Sequence, residues 1–159
     1  MENLGKLGRD VVTEFEGIII AKAIHLSGCN TYLLAPKAKN GKKRKSQYFS
    51  AERVEIFEDG LSIKAKPKNS DVENAIELGK FGKDKISDFQ GIVVVKVINL
   101  FGSNSLALEP KAKDGESKNA VLFDEGRIII TDENGISAKE VQSSKPGGVS
   151  LKATDNIVF

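Results

Sequence analysis

The sequence lacks most of the residues that build metal-dependent or nucleophilic active sites. It has one cysteine, Cys29, one histidine, His25, and no tryptophan. A single cysteine excludes an internal disulfide and a cysteine-based metal cage, and a single histidine excludes a multi-histidine metal site within one chain. No potential acid and base recur beside a nucleophile, so we expect no enzyme, no metal and no cofactor.

Long apolar runs are also missing. The longest uninterrupted stretches, Ile18 to Ala21 and Ile92 to Val95, have four residues, whereas a helix that crosses a bilayer needs about 20. The N-terminus, MENLGKLGRD, has neither the basic start nor the apolar run of a secretory signal. We therefore expect no membrane contact and synthesis in a cytoplasm. The 159 residues, 40% hydrophobic and 29% charged, fit one or two small globular domains.

An internal repeat dominates the sequence. Residues 4–53 and 78–127 align without gaps at an offset of 74 and share 21 of 50 letters. Two copies of this size predict two tandem domains rather than a solenoid. We expect a first domain at 1–66, a linker at 67–77, a second domain at 78–142 and a C-terminal tail at 143–159 that adds at most one strand.

Both copies have the pattern of short β-strands between glycine turns. Gly17 to Leu26 and Gly91 to Leu100 are rich in β-branched residues, which favours long strands. Asn40-Gly41 and Asp114-Gly115 are typical of type I′ hairpins. The prediction is an all-β protein made of two small barrels or sandwiches of about 60–65 residues each.

The long strand of each copy is apolar on both alternating sides. We take the odd-numbered side as the core and the even-numbered side as a surface that needs cover, either from the sister domain, from another subunit or simply from the remaining strands. Phe101 stands at a turn where the first copy has Ser27. The predicted interface residues are Ile18, Ile20, Ile24, Ile92, Val94, Ile98 and Phe101.

Two strings carry a resemblance to known proteins. LGRDVVTEFEG (7–17) and FGKDKISDFQG (81–91), the first followed by HLSGCNTYLLAPK, resemble a family of small uncharacterised phage and prophage proteins. That family's repeat runs G-x-x-x-K-D-K-V-T-G-F-E-G, then Y-L-x-G-C-x-x-Y and Q-P. The second copy has Ser103 and Leu106 in place of Cys29 and Tyr32. The opening G-x-x-x-x-D-x-x-T/S-x-F-x-G also resembles the entry to SH3-like barrels.

Few polar residues form a plausible site. His25 and Cys29 lie at a strand end and a turn, and the second copy has Asn99 and Ser103 there, so we interpret them as turn residues rather than a metal or thiol site. Asp10 and Asp84 recur in both copies and are interpreted as side chains that cap a turn.

The strongest charge feature is a basic run at the first hairpin. Six cations fall within nine residues, and the first domain has 12 basic and 8 acidic residues, a net charge of +4, against −1 (8 basic, 9 acidic) for residues 78–138. Such a loop either binds phosphates or simply keeps the domain solvated. The candidate anion-binding residues are Lys37, Lys39, Lys42, Lys43, Arg44 and Lys45.

These observations lead to two functional hypotheses. The first is a non-enzymatic phage structural protein, a virion decoration or head or tail accessory component, that docks on other phage proteins or on copies of itself through apolar strand faces; its place would be the virion. The second is a phage accessory protein that holds nucleic acid or a nucleotide defence signal on the basic hairpin.

Overall fold

The computed structural model of the chain describes residues 3–60, 78–131, 135–136, 141 and 157–158. The named elements are β-strands and two short 3-10 turns, Ala51–Arg53 and Glu125–Arg127, so the all-β prediction is confirmed. The predicted linker at 67–77 lies outside the described residues, as does most of the predicted tail.

The first repeat forms five antiparallel strands in the spatial order β5-β1-β2-β3-β4. Turns and the short 3-10 turn connect the strands, with glycines in the β2–β3 and β3–β4 connections, and the long strand β2 contributes to the centre of the sheet. The strands are β1 (Lys6–Asp10), β2 (Glu16–His25), β3 (Thr31–Ala35), β4 (Gln47–Ser50) and β5 (Val54–Gly60). We call this unit module 1.

The second repeat, module 2, has the same arrangement in the order β10-β6-β7-β8-β9. A two-residue strand, β11 (Ile157–Val158), adds to β9 in parallel orientation. The strands of module 2 are β6 (Phe81–Asp84), β7 (Gln90–Asn99), β8 (Ser105–Glu109), β9 (Ala120–Asp124) and β10 (Ile128–Thr131).

The two modules are joined edge to edge into one eleven-stranded sheet. The second halves of β2 and β7 pair antiparallel, with Ala23 opposite Val97. These two residues occupy equivalent positions in the repeat, because they are 74 apart. The seam between the modules therefore has local twofold symmetry, as an isologous dimer interface has.

A β-bulge in each long strand changes which side its residues face. Ile19 lies opposite Leu34, but Ala21 lies opposite Leu33, so the register shifts by one residue at Ile20. The same shift occurs at Val94 in β7. Paired residues share a face and neighbours on an unbulged strand alternate, so Ile19 and Ala21 face opposite sides of the sheet.

The bulges explain the three hydrophobic clusters. One cluster fills module 1 around Ile19 and Leu34, and its counterpart fills module 2 around Val93 and Leu108. The third lies on the opposite face, beyond the bulges, where small residues of both modules meet: Ala21, Ala23, Val95, Val97, Ala107 and Ala120. We call the face that carries this third cluster the outer face.

The bulges also supply hydrogen bonds across the seam. The carbonyl oxygen of Ile20 accepts from the Leu100 amide, and that of Val94 accepts from the Leu26 amide, both at 2.8 Å. A bulged residue is left out of its own ladder. Its free carbonyl is thus satisfied by the other module, and this ties the two halves together.

The predicted hairpins are confirmed. Asn40 and Gly41 have φ of 53° and 71°, and Asp114 and Gly115 have φ of 54° and 78°. Positive φ at both central residues is what a type I′ turn requires. Each turn is closed by a bridge, Lys39 to Lys42 in module 1 and its equivalent in module 2.

Candidate functional site

The identical aspartates of the two repeats cap a turn, as predicted, and each also binds an arginine. Oδ2 of Asp10 accepts from the amide and hydroxyl of Thr13. Arg53 donates Nε to Oδ1 and Nη2 to Oδ2, both at 2.8 Å. Asp84 makes the same bonds with Ser87 and Arg127. The bidentate pair fixes the start of β5 or β10 against the turn.

The aspartates are fully buried and ionised. Burial by itself would raise the pKa of Asp10, but hydrogen bonds from Arg53 and Thr13 lower it to about 2. For Asp84 the hydrogen bond from Arg127 is the largest effect, and the pKa lies well below the usual range. Aromatic rings complete the arrangement, because Arg53 lies 5.9 Å from the Phe49 ring centroid, and Phe15 packs against Phe49. These aspartates therefore have a structural role.

The two residues with the most reactive side chains are not assembled into a site. His25 is buried on the outer face, its Nε2 lies 3.3 Å from the Thr31 hydroxyl, and its Nδ1 has no hydrogen-bond partner. Burial lowers the pKa of His25 to about 4, so it is neutral. Cys29 is half-buried. Among the described residues, no cluster of three or more His, Cys, Asp or Glu could hold a metal.

The predicted apolar interface does not form one surface. Ile92 and Ile98 are 9% and 2% exposed, so the chain itself covers them, and they are not available for docking. The physical reason is the bulge: it places Ile98 and Ile24 on the side of the module cores, while Ile18 and Ile92 face the other way. The prediction that the even-numbered residues of β2 and β7 lie on one face was therefore wrong.

The remaining predicted interface residues keep some exposure. Ile18, Ile20, Ile24 and Val94 are half-buried. Phe101 is 60% exposed at the turn after β7. Of these, Ile18 and Ile20 lie together with other apolar groups in a groove.

This groove crosses the outer face of module 1. Paired residues form an apolar row over four strands, from Phe57 on β5 through Leu7 and Ile18 to Ala35 on β3. The groove lies beside this row. It has a volume of about 450 Å³ and is lined by Leu7, Ile18, Ile20, Ala35, Pro36, Lys37 and Gly60. Its volume falls within the range of roughly 300–1,000 Å³ that is common for ligand clefts.

The basic hairpin adjoins the groove. Lys37 lines it, and Arg44 and Glu16 line a smaller adjacent hollow of about 160 Å³ that also includes Leu7 and Ile18. Arg44 donates Nε to the Lys37 carbonyl oxygen at 2.8 Å, which holds its guanidinium at the rim. All six predicted cations, Lys37, Lys39, Lys42, Lys43, Arg44 and Lys45, are exposed.

Module 2 differs at the matching positions. Glu109 pairs with Ile92 where module 1 has Ala35 opposite Ile18. Thr131 pairs with Phe81 where module 1 has Phe57 opposite Leu7. The row is thus polar at both ends in module 2 and apolar throughout in module 1.

Sequence reasoning missed the arginines and most of the groove. Arg53 and Arg127 are identical in the two repeats, so the repeat comparison contained the signal for the first omission. The groove had a weaker signal, the replacement of Ala35 by Glu109. Without the pairing register, nothing placed Ala35 beside Ile18 and Leu7.

The chain matches no protein-family model, and neither a curated protein nor a solved structure is significantly similar to it. Within the described residues, no helix is long and apolar enough to cross a membrane.

Proposed function

We propose that the chain is a non-enzymatic phage assembly protein that docks on another protein through the outer face of module 1. The observation that carries this proposal is the four-strand apolar row with its open groove, whose lining residues Leu7, Ile18 and Ala35 are only half-buried. Contiguous exposed apolar surface with a polar rim is typical of protein interaction sites.

The surroundings of the buried titratable groups support a non-enzymatic role. The buried aspartates Asp10 and Asp84 are engaged by arginines, and the buried His25 is neutral and bonded to a threonine. A catalytic acid or base needs access to a reacting group. These buried groups are instead part of the packing of the sheet.

The phage context comes from the sequence. The repeat strings at 7–17 and 81–91 resemble phage and prophage proteins, and a virion decoration or head or tail accessory component is the proposed role. The symmetric seam joins two modules of the same fold, of which only module 1 presents the apolar row, so each chain offers the partner one docking surface.

The test is the protein content of purified virions. Mass spectrometry of gradient-purified particles should detect the chain at a fixed ratio to the major structural proteins. Particles from a phage that carries Ala35→Glu should contain less of it, while Lys118→Glu in module 2 serves as the control. Absence of the chain from wild-type particles would refute the structural role.

A second candidate function is the binding of nucleic acid or a nucleotide by the basic hairpin. It is favoured by one observation, the six exposed cations of residues 37–45. Replacing Lys42, Lys43, Arg44 and Lys45 by alanine should then abolish binding of a labelled oligonucleotide and its salt dependence. The control replaces the cations of the module 2 hairpin, Lys111, Lys113 and Lys118. Unchanged binding in the first variant would eliminate this candidate.

A further inference from the structure

The two modules share a backbone plan but present different chemistry on the outer face, and the difference is concentrated at the groove. Module 1 has Ala35 and Phe57 where module 2 has Glu109 and Thr131. The fold accepts a glutamate and a threonine at these register positions. The architecture therefore does not require the apolar pair of module 1, which is consistent with a role of this pair in binding.

The unpaired charges at the rim of the groove are positive. Lys37 and Arg44 form no ion pair with any residue in the described part of the chain, and both are exposed. Glu16 lines the adjacent hollow, but Arg9 lies 3.8 Å from it and partly neutralises it. An occupant of the groove therefore meets an apolar floor and two available cations.

The surroundings of Lys37 and Arg44 also differ from those of cations in a nucleic-acid binding site. Lys37 directly follows Pro36 at the end of the groove, and Arg44 is held by its bond to the Lys37 carbonyl. Both line a hollow with the aliphatic side chains of Leu7 and Ile18, and no aromatic residue lines this hollow or the groove. Stacking aromatics are the usual partners of cations in single-strand nucleic-acid sites, so the groove fits a ligand that is itself apolar between its charges.

We propose that this groove binds an acidic, apolar segment of a partner protein, with aliphatic side chains against Leu7 and Ile18 and carboxylates paired with Lys37 and Arg44. The inference rests on the proposed docking function and specifies the chemistry of the partner. Aliphatic contacts supply the hydrophobic part of the affinity, and the charge pairs supply orientation and partner choice.

The probe is a short fluorescein-labelled peptide of alternating glutamate and leucine, titrated with the full chain in a fluorescence-anisotropy assay. Binding should weaken as sodium chloride is raised, because exposed charge pairs are screened. An alternating lysine and leucine peptide and an all-glutamate peptide should each bind at least about tenfold more weakly, a difference of about 1.4 kcal/mol.

Two substitutions in module 1 test the site directly. Ala35→Glu installs the residue that module 2 has at this position, so the fold should be retained and peptide affinity should fall about tenfold. Arg44→Glu should reduce affinity to a similar extent and flatten the salt dependence. The matched control is Lys118→Glu, the position in module 2 equivalent to Arg44, which should change affinity less than about twofold. Thermal melts verify that each variant is folded.

Besides a wild-type chain that fails to bind the peptide, three results would overturn the proposal. The first is peptide binding that Ala35→Glu and Arg44→Glu leave unchanged. The second is an oligonucleotide that binds more tightly than the peptide and is insensitive to Ala35→Glu, which would assign the cations to phosphate. The third is self-association in sedimentation velocity that Ala35→Glu abolishes, which would assign the groove to a second copy. A chain that binds the peptide but is absent from virions would refute the virion role and leave the peptide site standing, whereas a virion protein that fails to bind the peptide would do the opposite.

Discussion

The ion pair between Asp10 and Arg53 gives a sharp prediction about stability. Asp10→Asn keeps the size and shape of the side chain but replaces one carboxylate oxygen with an NH₂ group. The wild-type carboxylate accepts two bonds from Arg53 and two from Thr13. An amide has one acceptor oxygen, so in either orientation its NH₂ faces a donor of Arg53 or Thr13.

The expected loss follows from the bonds and their exposure. Hydrogen bonds to charged groups contribute roughly 1.5–3 kcal/mol each, and disrupting a buried ion pair costs roughly 3–5 kcal/mol. Asp10 is fully buried, but Arg53 is 34% exposed and stays partly hydrated. We therefore expect Asp10→Asn to reduce the free energy of unfolding by about 2–3 kcal/mol. At this chain length that corresponds to a fall in Tm of about 4–12 °C.

The pH dependence provides an independent check. Since the pKa of Asp10 is about 2 in the folded protein against an ordinary value of 3.8, its stabilisation is complete above about pH 5. It is lost progressively as the pH falls toward 2, because the unfolded chain takes up the proton first. The difference in Tm between wild type and Asp10→Asn should thus narrow between pH 4 and pH 2.

Thermal unfolding followed by far-UV circular dichroism at pH 7 and along this pH series tests both statements. The control is Asp114→Asn, which removes a carboxylate from an exposed turn and installs the residue that module 1 has there, Asn40. It should leave Tm nearly unchanged. A Tm of Asp10→Asn equal to wild type at pH 7, or a difference that does not narrow in acid, would show that the pair does not stabilise the fold.

Further substitutions test the core, the seam and the buried histidine. Gly8→Ala should destabilise by about 1–3 kcal/mol in urea unfolding, because its Cβ would lie 2.9 Å from Val54, and Gly82→Ala should do the same beside Leu108. Ala23→Glu buries a charge in the seam and should leave little folded protein at 37 °C, whereas a soluble variant with wild-type Tm would contradict the symmetric pairing. Stability should fall as pH drops from about 6.5 toward 4, since unfolding lets His25 take up a proton that the folded protein resists; His25→Asn should remove that slope, and an identical slope would refute it.

Local turn chemistry was readable because it depends on adjacent residues. Asn40-Gly41 and Asp114-Gly115 favour positive φ whatever surrounds them, and the structure has type I′ turns at both. The β-branched runs of the long strands likewise predicted β2 and β7. Their alternation failed beyond Ile20 and Val94, because a bulge is an event of pairing with a neighbouring strand and leaves no fixed mark in the composition.

The repeat also located the capped turns but not the whole interaction. Asp10 and Asp84 were recognised as turn residues, and their arginine partners lie 43 positions away along the chain. Only the pairing of β1 with β5 and of β6 with β10 brings these groups within hydrogen-bond distance. Charge clustering at residues 37–45 was visible in the sequence, whereas its position beside an apolar groove was not.

The amino-acid sequence by itself determined the β-class, the duplication and the hairpin turns, since these follow from residue conformational preference and self-similarity. Tertiary structure decided how the copies meet, which faces are buried and where the groove lies. These depend on the pairing register of the strands and on the bulges at Ile20 and Val94. That outcome is set jointly by strands far apart along the chain: the free carbonyls of Ile20 and Val94 are bound by the opposite module.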